Sequence, residues 1–459
     1  MSSVTITASD QNHDVTLQEN KIILLWSFTV WLVVMNTTMF NVALPSVIQE
    51  LSLTSSTASW IVSGYSIVFA IATLTFSRLS DFLPISRLLL IGLTLLGIAS
   101  VIGFFSHHFF LLLTSRVLQA AGAGAVPGLA MVLVARYIPL SRRGKAMALI
   151  ASASSLGFGL GPVIGGAITQ FLGWNYLFLV TGLVVLFIPL FRRILPKEEA
   201  KLVTFDAVGG VLAGISVTGL LLFLSTFSYS ILLGSVILLI LLWKHIHKIK
   251  FPFIQPTLLK NHQYTKLLFI GFTAFVTHFA TLFLMPIILT VVFHKEAAVI
   301  GMIIFPGAIM SAVAAQFIGR LIDRFGNAPL IIFGQTLLVI STVLLTLTST
   351  ISPIYILITY MFMSTGFSAL TSSIANEVTR VISANEVGTG MGMAQLIQFF
   401  GGAFGVTLAG IMITLQRELI EKIIYRNIFI GLTMLILASM ISFYIYYKNR
   451  DRNKRVSLN

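Results

Sequence analysis

The sequence predicts an all-α integral membrane protein with fourteen transmembrane helices, and three observations predict it. Of 459 residues, 57% are apolar and only 10% charged, against about 25% charged in an ordinary soluble domain, and the mean hydropathy is +0.97. Apolar stretches long enough to cross a bilayer recur from end to end with short polar connections between them. Basic residues collect in alternate connections, which fixes a sidedness.

The spans read as roughly 22–44, 58–77, 88–105, 109–135, 146–171, 175–191, 207–226, 229–243, 267–292, 298–318, 329–349, 353–375, 388–414 and 427–447. An even number puts both ends on one side. With the amino end placed in the cytoplasm, 24 of the 29 Lys and Arg lie in cytoplasmic loops and tails. Lys295, Arg417, Lys422 and Arg426 lie outside, and Arg116 falls within span 4. The net charge of +14 is thus a topology signal, and no nucleic-acid partner is expected. Residues 1–20 are polar with no Lys or Arg before Lys21, so a cleaved signal peptide is not expected. With no cysteine, disulfide and thiol chemistry are excluded.

Span 5 contains Leu156-Gly-Phe-Gly-Leu-Gly-Pro-Val-Ile-Gly-Gly166. Gly157, Gly161 and Gly165 recur every four residues, so on a helix they make one bare face on which a neighbour packs closely. Pro162 donates no hydrogen bond, which leaves the carbonyl of Phe158 without its usual partner. In lipid such a defect survives only where protein or a water-filled cavity compensates it. Together with Gly166, this predicts a buried, bendable helix at a helix–helix seam. It reads either as a plain packing face or as the hinge or seal of a transporter.

The chain also repeats itself. The loop between spans 2 and 3 reads Ser77-Arg-Leu-Ser-Asp81, and that between spans 10 and 11 reads Gly319-Arg-Leu-Ile-Asp323. Span 13 is glycine-rich like span 5, with Gly388, Gly390, Gly392, Gly401, Gly402, Gly405 and Gly410. Two six-helix bundles are therefore expected, spans 1–6 and 9–14, with spans 7–8 an inserted helix pair. In residues, the expected units are a polar cytoplasmic tail 1–21, an N-terminal bundle 22–195, an inserted pair with its loops 196–260, a C-terminal bundle 261–447 and a basic tail 448–459. Facing parallel repeats place a transport site near the midplane between them.

At these motifs the chain resembles the major facilitator superfamily, in its fourteen-helix drug:proton antiporter branch, over nearly everything after the polar tail. Gly319 to Gly326 matches the family's loop motif; the copy at Ser77 to Pro84 departs from it at two glycine positions. Arg116-Val-Leu-Gln119-Ala-Ala-Gly122 is similar to the span-4 arginine motif, Gly157 to Gly166 to the antiporter motif, and Asn36 to Pro45 to the span-1 motif of the fourteen-helix group. Arg136-Tyr-Ile-Pro and Arg143-Gly-Lys-Ala resemble Gram-positive tetracycline exporters. Those exporters carry membrane glutamates where this chain has Thr37, Phe158 and Gly402, and many multidrug relatives carry an aspartate at Asn36. The same branch includes exporters of chloramphenicol and florfenicol, which are uncharged.

All fifteen acidic residues lie in tails, loops or helix ends on this reading. A charge at the bilayer centre costs about 2.5–3.5 kcal/mol, so a cationic drug would need a counter-charge. None is evident, which favours a neutral, amphipathic cargo; a cation–π face is the alternative. Arg116 is the one permanent intramembrane charge, and the resemblance links it with proton coupling. Its mate would be a freed carbonyl or Gln119; a structural arginine is the other reading. His278, near the middle of span 9, titrates ordinarily near pH ~6.5 and fits either a proton shuttle or a packed neutral ring. Asp81 and Asp323 at their loop corners fit either a latch of the outward-facing state or simple helix caps. Asn36, Asn41, Tyr65, Gln119, Gln395 and Gln398 are candidate cavity residues, or alternatively interhelical glue.

No phosphate-binding loop is present, and His107, His108, His245 and His247 lack partners at metal spacing. No cofactor, metal or enzyme chemistry is expected. The expected protein is a monomeric, proton-driven exporter in the cytoplasmic membrane of a bacterium. Its partners are a small-molecule drug, protons and the lipid bilayer. A phenicol leads as cargo, with tetracycline, a broad multidrug range, a nutrient uniporter and a non-transporting receptor as alternatives.

Overall fold

The structure, a computed structural model, describes residues 8–456 apart from 81–82, 139, 196–197, 199–205, 250–251 and 383–386. Among these residues it is helical with no strand. The first helices are α1 (Ala8–Glu50), α2 (Ser55–Leu79), α3 (Ile85–Phe104), α4 (Phe109–Ala123), α5 (Ala125–Tyr137) and α6 (Leu140–Phe171). Then come α7 (Tyr176–Gly182), a 3-10 turn (Leu183–Phe187), α8 (Ile188–Ile194), α9 (Ala207–Thr226), α10 (Tyr229–Ile246) and the short α11 (Pro256–Lys260). The last are α12 (His262–Val291), α13 (Ala297–Phe325), α14 (Asn327–Thr348), α15 (Pro353–Val381), α16 (Val387–Leu415) and α17 (Glu421–Val456). Among the described residues, thirteen helical stretches are long and apolar enough to cross a membrane. They coincide with thirteen of the expected spans; the other, 146–171, lies within the 32-residue α6.

Local chemistry explains where the helices start and break. Thr54, Asp206, Asn261 and Ser352 accept hydrogen bonds at the amino ends of α2, α9, α12 and α15, covering donors that have no partner inside a helix. Span 4 is interrupted between α4 and α5, four residues ahead of Pro127, whose ring and missing N–H disturb the carbonyl of Ala123. Pro189 does the same to span 6, which tightens into a 3-10 turn between α7 and α8.

α6 lies between α1 and α13 and presents a glycine stripe to each. A Cβ on Gly157 or Gly165 would stand 2.7 Å from the carbonyl oxygens of Trp31 and Met39 on α1. On the other face, a Cβ on Gly159 would stand 2.8 Å from that of Ala308 on α13, and Gly166 closes against Ala297. Side chains at these points would force the helices apart. α16 repeats the arrangement: Gly401 and Gly405 meet α12 at Phe272 and Val276, while Gly410 meets α2 at Ser55 and Ser59. Helices of the first part of the chain therefore meet those of the last along two seams, α6 on α13 and α2 on α16. α9 rests on the second seam. Its Ala213 packs with Leu74 of α2, and its Leu221 with Ile67 of α2 and Ala403 of α16.

Candidate functional site

Arg116, on α4, is fully buried. Its Nη1 donates to Oδ1 of Asn36 at 3.1 Å and to Oε1 of Gln119 at 3.0 Å. Gln119 in turn donates to Ser100 on α3 at 2.8 Å, and Asn36 donates to the Tyr65 hydroxyl at 3.4 Å. The guanidinium lies between two aromatic faces, with Cζ 4.0 Å from the centroids of both Phe40 and Tyr65. Every partner is neutral. Two charge-assisted hydrogen bonds of about 1.5–3 kcal/mol each and two desolvated cation–π faces of about 2 kcal/mol each are of the size needed to hold a cation at membrane depth. Among the described residues, Nε and Nη2 of Arg116 find no hydrogen-bond partner.

Asn36, Tyr65 and Gln119 are thus turned onto Arg116, each 2% exposed or less. Phe40 and Ser100 join them, and the sequence alone does not single these two out. Phe40 follows Asn36 by one helical turn, so a helical-wheel reading of the span-1 motif carries that signal.

The defect at Pro162 is compensated by α1. The Thr38 hydroxyl reaches the carbonyl of Phe158 at 3.4 Å while also bonding Met35 O at 3.2 Å. The bare face of Gly157, Gly161 and Gly165 lies on α1, at Trp31, Met35, Thr38 and Met39. Pro162 and Gly166 instead face α13, at Gly301 and Ala297.

An aromatic run crosses between the two parts of the chain. Tyr65 stacks on Phe69 (5.8 Å between centroids), which meets Phe399 of α16 at 4.8 Å. Phe399 meets Phe275 of α12 at 5.5 Å, and Phe275 touches Phe279 at 5.6 Å and Phe367 of α15 at 5.1 Å. Phe279 reaches back to Phe158 of α6 at 6.3 Å. His278 is buried at the far end, stacked on Phe367 at 3.9 Å and 7° between planes. Its Nδ1 makes no hydrogen bond among the described residues. Neither ring nor guanidinium bonds the other, so the structure does not bring His278 and Arg116 together.

The remaining candidates are scattered. Asn41 is 1% exposed, and its amide has no partner among the described residues. Gln395 and Gln398 are half-buried on α16, and Gln398 leans on α12, its Nε2 2.9 Å from where a Cβ on Gly271 would stand. Asp81 lies outside the described residues. Asp323 is in the last turns of α13, and its side chain is outside them too.

Two acids are more buried than the sequence suggests. Glu377 of α15 is 1% exposed and accepts from Asn327 and from the Tyr446 hydroxyl, each at 2.6 Å. Asp206 is 8% exposed; it bonds His245 at 2.7 Å and the backbone N–H groups of Gly209 (2.8 Å) and Phe253 (2.9 Å). His245 therefore has a carboxylate partner 39 residues away in the chain, a distance at which spacing rules are blind. Among the described residues no three His, Asp or Glu gather as for a metal ion.

Long apolar helices that meet along two glycine-lined seams around an aromatic interior define a polytopic membrane carrier. The family described as the Major Facilitator Superfamily matches residues 26–406 and again 267–458, and the chain belongs to it, a family of transporters rather than enzymes. The chain is 26% identical over 387 residues to the riboflavin transporter RibZ of Clostridioides difficile, covering 82% of this chain and 84% of that one. To the lincomycin resistance protein LmrB of Listeria innocua it is 26% identical over 322 residues, covering 67% and 68%. A crystal structure of a bacterial homologue of the human lysosomal transporter Spinster, inward-facing and unoccupied, superposes with a TM-score of 0.66 at 14% identity, covering 94% of this chain and 97% of that one.

Proposed function

We propose that the chain is a proton-driven exporter of a small, uncharged, aromatic drug, with a phenicol such as chloramphenicol or florfenicol the leading cargo. The aromatic run between the two parts carries this reading. Among the described residues no carboxylate bonds to it, and its one neighbouring fixed charge is the cation Arg116. A lipophilic cation entering there would meet repulsion and no counter-charge, whereas a neutral ring gains stacking on Phe69, Phe275 and Phe399. Likeness to a lincomycin resistance protein supports export of an antibiotic.

On this reading spans 1–6 and 9–14 rock as two bundles, and α6 is the bending element. Arg116 and His278 serve proton coupling, with Asp81 and Asp323 gating from the basic face. Asn41, Gln395 and Gln398 supply polar contacts to cargo. The basic loops and both ends face the cytoplasm of a bacterial cell, and the protein acts as a monomer. A proton entering down an inside-negative potential of about 100 mV supplies about 2.3 kcal/mol, enough for roughly fiftyfold accumulation of a neutral drug.

The test is expression in a susceptible, pump-deficient cell. Growth and drug retention are measured for florfenicol, tetracycline and a lipophilic cation, with and without a protonophore. Florfenicol resistance alone, abolished by the protonophore, is the expected result; selective tetracycline or cation resistance would overturn the charge argument. A second reading, movement of a flat vitamin, is favoured by the riboflavin transporter among the relatives. Flavin fluorescence in the same cells distinguishes it.

A further inference from the structure

A groove of about 690 Å³ runs up the outside of the protein between α3 and the end of span 6. Arg87 and Arg192 stand at one end of it, on the basic face. Leu90, Ile91, Leu95 and Ile98 make its wall. Ile91 is 52% exposed and Ile98 54%, so the wall looks into lipid. Both arginines are exposed, and neither bonds a carboxylate among the described residues. The acid bordering this end of α3, Glu198, is already committed. Its Oε2 accepts from the Ile85 N–H at 2.6 Å, and its Oε1 from Arg136 at 3.3 Å and from the Tyr137 hydroxyl.

The dimensions are those of half a bilayer. From Arg87 to Ile98 the helix rises roughly 16 Å at 1.5 Å per residue, close to half of a hydrocarbon core about 30 Å thick. A charged mouth at headgroup depth above an apolar slot one leaflet deep matches one molecule in chemistry and in length. We infer that the α3–α8 groove, through Arg87 and Arg192, binds an anionic phospholipid, its phosphate at the two guanidiniums and an acyl chain along Leu90, Ile91 and Ile98. An anionic lipid is favoured over a zwitterionic one, because among the described residues the carboxylate bordering the mouth, Glu198, is already bonded and no other is seen to pair with an ammonium group. The bound phosphate sits beside the Glu198–Arg136–Tyr137 junction, which ties the start of α3 to the end of α5. Occupancy therefore firms the basic end of the first six spans.

The experiment uses the purified full-length protein in nanodiscs and detergent. Lipid adducts are counted by native mass spectrometry and thermal unfolding is followed, with phosphatidylglycerol, phosphatidylcholine or inorganic phosphate as the probe. Phosphatidylglycerol should bind in preference and raise the unfolding temperature. Phosphatidylcholine and free phosphate should do neither. Each of Arg87→Gln and Arg192→Gln should weaken the phosphatidylglycerol adduct roughly fivefold, and Arg87→Lys and Arg192→Lys should retain it. Lys248→Gln, an equal charge loss at an exposed residue elsewhere, should leave it unchanged. Equal stabilisation by phosphatidylcholine or by phosphate alone overturns the proposal, as does an undiminished adduct in the Arg87→Gln, Arg192→Gln variant. Should that double variant fail to fold, an undiminished adduct in both single variants overturns it equally. Drug transport is not read, so the result stands apart from the export reading.

Discussion

Arg116 donates to Asn36 at 3.1 Å, a cation on α4 held by an amide on α1 rather than by an acid. Removing that acceptor leaves a buried charge with one hydrogen-bond partner. Asn36→Leu should cost about 1.5–3 kcal/mol of stability and impair transport. Arg116→Ala should abolish transport while the protein still inserts, because Asn36 keeps its bond to Tyr65 and Gln119 its bond to Ser100, all neutral. Drug retention with and without a protonophore, beside fluorescence-detected size exclusion, checks both. Full activity of Arg116→Ala removes it from the mechanism.

The seam between α6 and α1 makes a sharper prediction, because its sign differs from that of an open glycine. Gly165→Ala drives a methyl toward the backbone of Met39 and should destabilise by about 1–3 kcal/mol. Gly234→Ala on α10 meets nothing within 4 Å and should stabilise by about 0.5–1 kcal/mol. Thermal unfolding of the two variants in the same detergent decides it. Equal shifts would show that α6 does not pack on α1 in this way.

Proton exchange at His278 can be separated from packing. His278→Phe keeps a ring on Phe367 and His278→Gln keeps a polar group. If the imidazole carries the coupling proton, both variants lose drug accumulation driven by a pH gradient. If it only packs, the Phe variant transports with the wild-type pH profile. Whole-vesicle transport between pH 5.5 and 8 reads the difference around the ordinary histidine value of about 6.5.

Asp206 links folding to pH. Burial raises its carboxyl pKa, but the hydrogen bonds from His245, Phe253 and Gly209 outweigh that and hold it below its ordinary value. A folded-state value below the unfolded one contributes stability that is present above about pH 4 and is lost as pH falls through the folded value. Asp206→Asn should therefore lower the unfolding temperature at pH 7. It should also flatten the acid limb of the stability curve. An unchanged acid limb would place the acid sensitivity elsewhere.

Periodicity in the sequence reaches as far as one helix face and its immediate neighbour. The four-residue recurrence of Gly157, Gly161 and Gly165 predicts a close seam, and α1 lies on it. The orphaned Phe158 carbonyl predicts a compensating group, without naming Thr38. Arg116 is visible as a solitary intramembrane charge, and Gln119 one turn away is visible as a partner. The aromatic run is not visible, because Phe69, Phe158, Phe275 and Phe399 come from four helices, and nothing in the sequence separates them from the phenylalanines among the 36 that face lipid. Glu377 is misjudged for a related reason. Its position near a helix end suggests water, whereas Asn327 and Tyr446 close over it from α14 and α17.

α9 leans on α2 with one shoulder and on α16 with the other. On the proposed rocking of the two bundles, a body fastened to both jaws cannot stay still while they swing. It must slide over one of them or flex at each stroke. Gly214, whose missing side chain faces Ile71 of α2, gives it a smooth bearing surface on that side. On that proposal the α9–α10 hairpin acts as a bushing, damping the swing along one flank of the carrier.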